Sequence, residues 1–168
     1  MVVQSELVAN ELAPAHTNDP RAAAALESPL VSEGFFDHAL RVVLVHSARE
    51  SKIRLAAGMD HLIDGPQGTD ALGESGPDLG RVTVAADLEP GDRLTVVKFL
   101  AYAWSSQRSH VALRDEVVAA LAEARHTGWD GLVAQQRRYL DEFWRGADVE
   151  LEGDPDSVEL LSRKRFRF

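Results

Sequence analysis

The 168-residue chain is 45% hydrophobic and carries 27 acidic against 18 basic residues, a net charge of -9; this suits one folded domain and opposes binding to nucleic-acid phosphates. It has no cysteine, which excludes disulfide scaffolds, thiol catalysis and Cys-based zinc sites and makes a reducing compartment, the cytoplasm, the expected location. The amino terminus lacks the basic region and apolar run of a secretory signal, and no apolar stretch approaches the roughly 20 residues of a membrane span.

Residues 2–10 (VVQSELVAN) open with β-branched residues and alternate loosely, as a strand does, with no preceding turn or cap. Residues 11–34 mix Pro14, Pro20 and Pro29 with the alanine run 22–25 and are expected to form an irregular connection. The Val- and Leu-rich run 39–48 and the run 53–63 flank Arg49, Glu50, Ser51 and Lys52, which predicts a hairpin. Residues 65–80 hold five glycines and two prolines, and the composition predicts a long surface loop. Residues 81–88 place Val82, Val84 and Ala86 on one face, and 94–102 form another strand. Between them, Glu89-Pro90-Gly91-Asp92 carries type II turn chemistry, so the two strands are expected to pair as a hairpin.

At least five strands with antiparallel connections and no interposed helix predict a mainly β chain, part of a sandwich or barrel. After Ser109 the period changes. Val111, Val117, Val118 and Leu121 recur at helical spacing, and Gly128 is placed to end that helix. A second helix follows, capped by Thr127 and Asp130, with a stripe of Leu132, Gln136, Tyr139, Leu140, Phe143 and Trp144. The two helices are expected to pack as an antiparallel hairpin.

The chemistry-bearing residues assemble no recognisable catalytic, cofactor or metal motif. His16, His38, His46, His61, His110 and His126 are scattered without ligand spacing and read as surface or packing residues. Asp37-His38 and Asp60-His61 are adjacent, but neighbours on a strand point to opposite faces, so neither pair is by that fact an acid–base couple. No GxSxG elbow occurs, and glycines 65, 68, 73 and 76 fit no phosphate-binding loop. Asp115-Glu116 and Asp141-Glu142 lie among basic residues on predicted helices and read as solvated faces rather than as a glycosidase pair. The aromatics Tyr102, Trp104, Trp129, Tyr139, Phe143 and Trp144 gather in the last third of the chain. Trp104, Trp129, Tyr139, Phe143 and Trp144 are the candidates for interdomain packing or for stacking on a sugar ring.

The segments VQSELVAN (3–10), MDH (59–61), VKFLAY (97–102), WSS (104–106), HTGWD (126–130), YLDEFW (139–144) and DVELE (148–152) occur in an order that resembles glycoside hydrolase family 65, the family of maltose, trehalose and kojibiose phosphorylases. The resemblance implies a partial antiparallel super-β-sandwich over 1–108, a two-helix linker over 109–148, and at 149–168 the start of the catalytic region. It implies further that the chain enters the sandwich partway and stops before the catalytic (α/α)6 barrel, so that no catalytic residue is carried over. Residues 157–168 (SVELLSRKRFRF), with the basic cluster Arg163, Lys164, Arg165 and Arg167, depart from the family pattern and read as a truncated or shifted frame. The expected role is that of a non-catalytic part of an enzyme acting on α-glucosidic disaccharides. The alternative is a free-standing carbohydrate-binding or regulatory module. The expected partners are the missing barrel and an α-linked disaccharide, and uncovered sandwich surface is expected to drive dimerisation or self-association.

Overall fold

The computed structural model describes residues 1–11 and 28–147. Seven strands, β1 (Val2–Val8), β2 (Leu30–His38), β3 (Arg41–Ala48), β4 (Arg54–Asp64), β5 (Asp70–Ser75), β6 (Leu79–Ala85) and β7 (Thr95–Ser105), precede the helical stretch α1 (His110–Ala147). They form two antiparallel sheets, one of order β1-β6-β5 and one of order β2-β3-β4-β7. The mainly β, sandwich-type fold expected from the sequence is therefore present. Residues 12–27 and 148–168, which include His16, the alanine run, the DVELE segment and the basic tail, lie outside the described residues. Among the described residues no helix is long and apolar enough to cross a membrane.

The hairpin expected from runs 39–48 and 53–63 forms as β3 and β4, closed by Ala48 N–H donating to Ile53 O at 2.8 Å. Three expectations are corrected. First, the glycine-rich stretch 65–80 is not a long loop: it contains β5 and the start of β6, paired in register from Asp70↔Ala85 to Ser75↔Gly80. Its polar residues sit on the outer face of a short edge strand, where nothing demands apolarity. Second, residues 30–34 belong to β2, which pairs with β3 across a bulge between Ser32 and Gly34. Glu33 and Asp37 suit an edge strand with an exposed face, and they break the alternation that marks a strand. Third, the turn at Glu89–Asp92 forms as its chemistry dictates, with Gly91 at φ 104° and Asp92 N–H bonded to Glu89 O at 3.0 Å, yet the flanking strands do not pair. β6 joins β1 and β5, whereas β7 joins β4 in the opposite sheet. A tight turn fixes local chain reversal, not the sheet that the next strand joins.

The inter-sheet core is built from Leu7, Val42, Leu44, Ala57, Met59, Val82 and Val84. Val82, Val84 and Ala86 are buried together, as their spacing requires. Residues 42–46 of β3 are buried without alternation, because the four-stranded sheet is covered on its other face as well. There the first part of α1, residues 110–127, lays Leu113, Val117 and Leu121 against it, all fully buried. Val111, placed on the inward stripe by the sequence, is exposed, and Leu113 takes that role. Ser109 caps this segment, its Oγ accepting from Ala112 N–H at 3.2 Å. The close approach needs Gly58: a Cβ there would lie 2.5 Å from Val117 Cγ1 and 2.9 Å from Leu121 Cδ1.

At Gly128 the helix is interrupted, with φ 67° and ψ 175°, in the left-handed region that glycine enters without a Cβ clash. The described chain accordingly divides into two units, Met1–Thr127 and the unit that begins at Gly128. In the second unit, residues 129–147 are helical.

One polar contact pins helix to sheet. Asp60 on β4 is completely buried and accepts from Arg41 Nε on β3 at 3.0 Å and from Arg125 Nη1 on α1 at 3.0 and 3.1 Å. The backbone N–H of His61 adds a further bond to Asp60 Oδ1 at 2.8 Å. A buried carboxylate with this many donors is stabilised only while all of them remain in place. Replacing Asp60 by Asn leaves two guanidinium groups facing a neutral amide, and urea unfolding should show a loss of about 3 kcal/mol; a variant within about 0.5 kcal/mol of the parent would remove the pin.

Candidate functional site

The polar residues singled out in the sequence fall into two groups, those consumed by packing and those presented to solvent. Asp60 and His61 point to opposite faces of β4, as adjacent strand residues must. Asp60 turns to the helix, and His61 turns into the inter-sheet layer, where it meets Ser5 of β1. They do not form an acid–base couple.

His61 is almost completely buried. Its Nδ1 lies 3.2 Å from Leu40 O and its Nε2 2.8 Å from Ser5 Oγ. The carbonyl can only accept, so Nδ1 carries the proton and Nε2 accepts from the serine hydroxyl. Every hydrogen-bonding position of the neutral ring is used. Burial lowers its pKa below the ordinary histidine value; the Leu40 carbonyl raises it, Lys98 lowers it further and Asp60 raises it.

A second buried histidine, His46, sits at the other end of the sandwich. Its Nε2 donates to Asp78 Oδ1 at 2.9 Å, and among the described residues Nδ1 has no partner. Asn10, at φ 54°, donates from Nδ2 to the same carboxylate oxygen at 3.1 Å and to Leu30 O at 2.9 Å, while its Oδ1 accepts from Leu30 N–H at 2.9 Å. The Asn10 side chain thus imitates a strand bridge and holds residues 10 and 30 together. Sequence reading missed this cluster. Its visible signal was the asparagine that ends the run 2–10, a residue type that tolerates the left-handed region.

Among the described residues the other histidines, His38, His110 and His126, are exposed, as are Asp115, Glu116, Asp141 and Glu142. Among the described residues no three His, Asp or Glu side chains converge as a metal cage requires.

The candidate aromatics are all presented to solvent. On β7, Trp104 is 72% exposed and Tyr102 59%, side by side on one face with Leu100. In the second unit, Trp129, Tyr139, Phe143 and Trp144 are exposed along residues 129–147. Phe143 and Trp144 meet edge to face with ring centroids 5.1 Å apart, a favoured aromatic geometry. Of the stripe read from helical spacing, Tyr139, Leu140, Phe143 and Trp144 are exposed among the described residues, and Leu132 is half-buried. Trp129 also borders a shallow depression in which Arg137, Arg138 and Arg145 alternate with Asp141 and Glu142. Such a surface offers stacking area and paired charges to a partner. It does not offer a dry carboxylate pair, which hydrolytic chemistry at an acetal requires.

The depressed pKa of His61 sets a pH dependence. Above the ordinary value of about 6.5 both folded and unfolded rings are neutral and the stability is fully present; as pH falls below it, the unfolded state takes up a proton first and stability is lost until the folded pKa is reached. Within that window His61 contributes a loss of up to about 1.4 kcal/mol per pH unit. His61→Gln keeps a donor for Leu40 O and an acceptor for Ser5, so its urea midpoint should fall less than the parent's between pH 7.5 and 5. Parallel curves for the two proteins would assign the dependence elsewhere.

Comparison with known proteins places the chain in a family. A family model described as the N-terminal domain of glycosyl hydrolase family 65 matches residues 1–143. An uncharacterized glycosyl hydrolase of Mycobacterium leprae is 48% identical over 161 residues, 96% of this chain, and one of Mycobacterium tuberculosis is 47% identical over the same share. The chain spans about a fifth of the length of these relatives. An alpha,alpha-trehalose phosphorylase of Thermoanaerobacter brockii is 24% identical over 111 residues, 66% of this chain and 14% of that protein. A solved structure from the human microbiome, assigned as a kojibiose phosphorylase, superposes on 85% of this chain and 17% of its own with a TM-score of 0.66 at 12% identity, a likeness of fold. Both the sequence match over residues 1–143 and the shared fold lead to one assignment: the chain belongs to glycosyl hydrolase family 65 and carries the N-terminal domain of that family.

Proposed function

We propose that this chain is the non-catalytic sandwich and linker of a family 65 enzyme that acts on an α-glucosidic disaccharide such as maltose, trehalose or kojibiose, with catalysis residing in an (α/α)6 barrel outside the chain. The observation that carries the reading is the use made of the polar residues. Asp60 and His61 are locked into the joints between sheets and helix, while the aromatics of 129–144 are left on the surface for a partner domain. An exposed stripe with Trp, Tyr and Phe is the composition of an interface core. A cytoplasmic setting belongs to the same reading, as does parent chemistry by either phosphate or water. Purified chain given each disaccharide with phosphate should release no more glucose 1-phosphate, or free glucose, than a heat-killed control. Release well above that control would overturn the assignment.

A second reading is favoured by one observation, the pairing of Tyr102 and Trp104 on an exposed strand face. Aromatic rings two residues apart on a strand are separated by about 6.8 Å and could hold successive pyranose rings, making the chain a carbohydrate-binding module. Titration calorimetry against the same disaccharides separates the two readings. The scaffold gives no saturable heat; a binding module gives saturable heat that Trp104→Ala abolishes.

A further inference from the structure

Two side chains of the four-stranded sheet cross the sandwich to grip β1 at consecutive residues. His61 of β4 accepts at Nε2 from Ser5 Oγ, 2.8 Å away, and Lys98 of β7 donates from Nζ to Glu6 O at 2.7 Å. Among the described residues these are the side-chain hydrogen bonds that tie β1 itself to β4 and β7. β1 is an edge strand whose one ladder partner among the described residues is β6. Its place against the larger sheet therefore depends on apolar contact through Val3 and Leu7 and on this pair.

His61 and Lys98 are also directly opposite each other in the β4–β7 register. An imidazolium at position 61 would face the Lys98 ammonium, and like charges directly opposite on adjacent strands destabilise the pairing. The charged groups around the ring do not offset this. Asp60 lies on the other face of β4 and is committed to Arg41 and Arg125. Glu6 of β1 binds Arg81 of β6 with its carboxylate, at 2.8 Å. Leu40, before β3, offers the ring only a carbonyl, and the inward residues of β6, Val82 and Val84, are apolar.

We propose that His61 and Lys98 form an acid-sensitive clasp on β1, closed while His61 is neutral and opened when it takes up a proton. Protonation acts on both ties. Nε2 becomes a donor, so the Ser5 hydroxyl must turn its own proton elsewhere. Lys98, long and exposed, relieves the repulsion by swinging into solvent, which gives up its bond to Glu6 O. The buried ring has no such exit. Burial first, and the Lys98 charge against the smaller pull of Asp60, resist the proton while the clasp is closed. Once β1 moves off, water reaches the ring, so proton uptake favours the open form. Above the ordinary histidine value of about 6.5 the ring is neutral in both forms and the clasp stays closed; opening belongs to the range below it.

Amide hydrogen exchange of the whole chain at pH 7.5 and pH 5, each rate divided by the intrinsic exchange rate at that pH, tests the clasp. Protection of the β1 amides should fall by at least about threefold relative to those of β3 and β4. In His61→Gln, which keeps a donor for Leu40 O and an acceptor for Ser5, that relative fall should vanish. Lys98→Gln keeps a donor for Glu6 O and removes the opposed charge, so the fall should be smaller than in the parent. Its exposed position lets Lys98→Gln carry the test where circular dichroism shows His61→Gln unfolded. Equal loss of protection in β1 and in β3 and β4 overturns the proposal, since acid then acts on the whole fold. A parent whose β1 protection is independent of pH, or an undiminished β1 loss in either folded variant, overturns it as well.

Discussion

The contact between the four-stranded sheet and residues 110–127 of α1 is the constraint on which the rest depends. It admits no side chain at position 58, where Val117 and Leu121 already occupy the space of a Cβ, and it carries a buried carboxylate, Asp60, that is acceptable there only because Arg41 and Arg125 converge on it. Apolar packing supplies most of the attraction and would tolerate small shifts of the helix. The ion cluster does not, because sliding the helix by one turn would remove Arg125 from Asp60 and leave the buried carboxylate with Arg41 as its one cation. Residue type thus fixes both the separation and the register of helix on sheet, while the helix hides the second face of β3 and β4.

That double cover explains which parts of the fold were legible in the sequence. Residues 42–46 read as an apolar run because both of their faces are dry, and the β3–β4 pair was visible from the polar turn beside it. Val82, Val84 and Ala86 alternate because β6 has only one buried face, and Gly128 marks the break in α1 for a backbone reason that any helix shares. β5 and the start of β6 were hidden by composition, since an exposed edge strand has little cause to be apolar. The partner of β7 was hidden for a different reason. Turn chemistry at Pro90-Gly91 is local, whereas the choice of sheet is made by side chains far apart in sequence, such as Met59 against Leu100. The same limit applies to the polar sites. Asp60-His61 stood out as a charged pair inside an apolar strand, but Arg125 and Ser5, which decide what the pair does, cannot be located by spacing.

Histidine and carboxylate chemistry at a catalytic centre requires groups that can change protonation state against a substrate. His61 is held by a carbonyl on one nitrogen and a hydroxyl on the other, and Asp60 is saturated by donors from three directions. Groups fixed in this way rigidify a fold. The aromatics of β7 and of residues 129–144 have the opposite character: large, exposed and nearly free of internal partners. Burying them would yield free energy that packing among the described residues leaves unused.

The two exposed aromatic surfaces differ in what can cover them. On β7 the side chains stand beside a row of backbone donors and acceptors, so a partner must bring its own extended strand and match a period of two. Along 129–147 the backbone is already satisfied within the helix, and a partner needs only an apolar surface that accommodates side chains three and four residues apart. A strand edge therefore selects by register, whereas a helix stripe selects by shape.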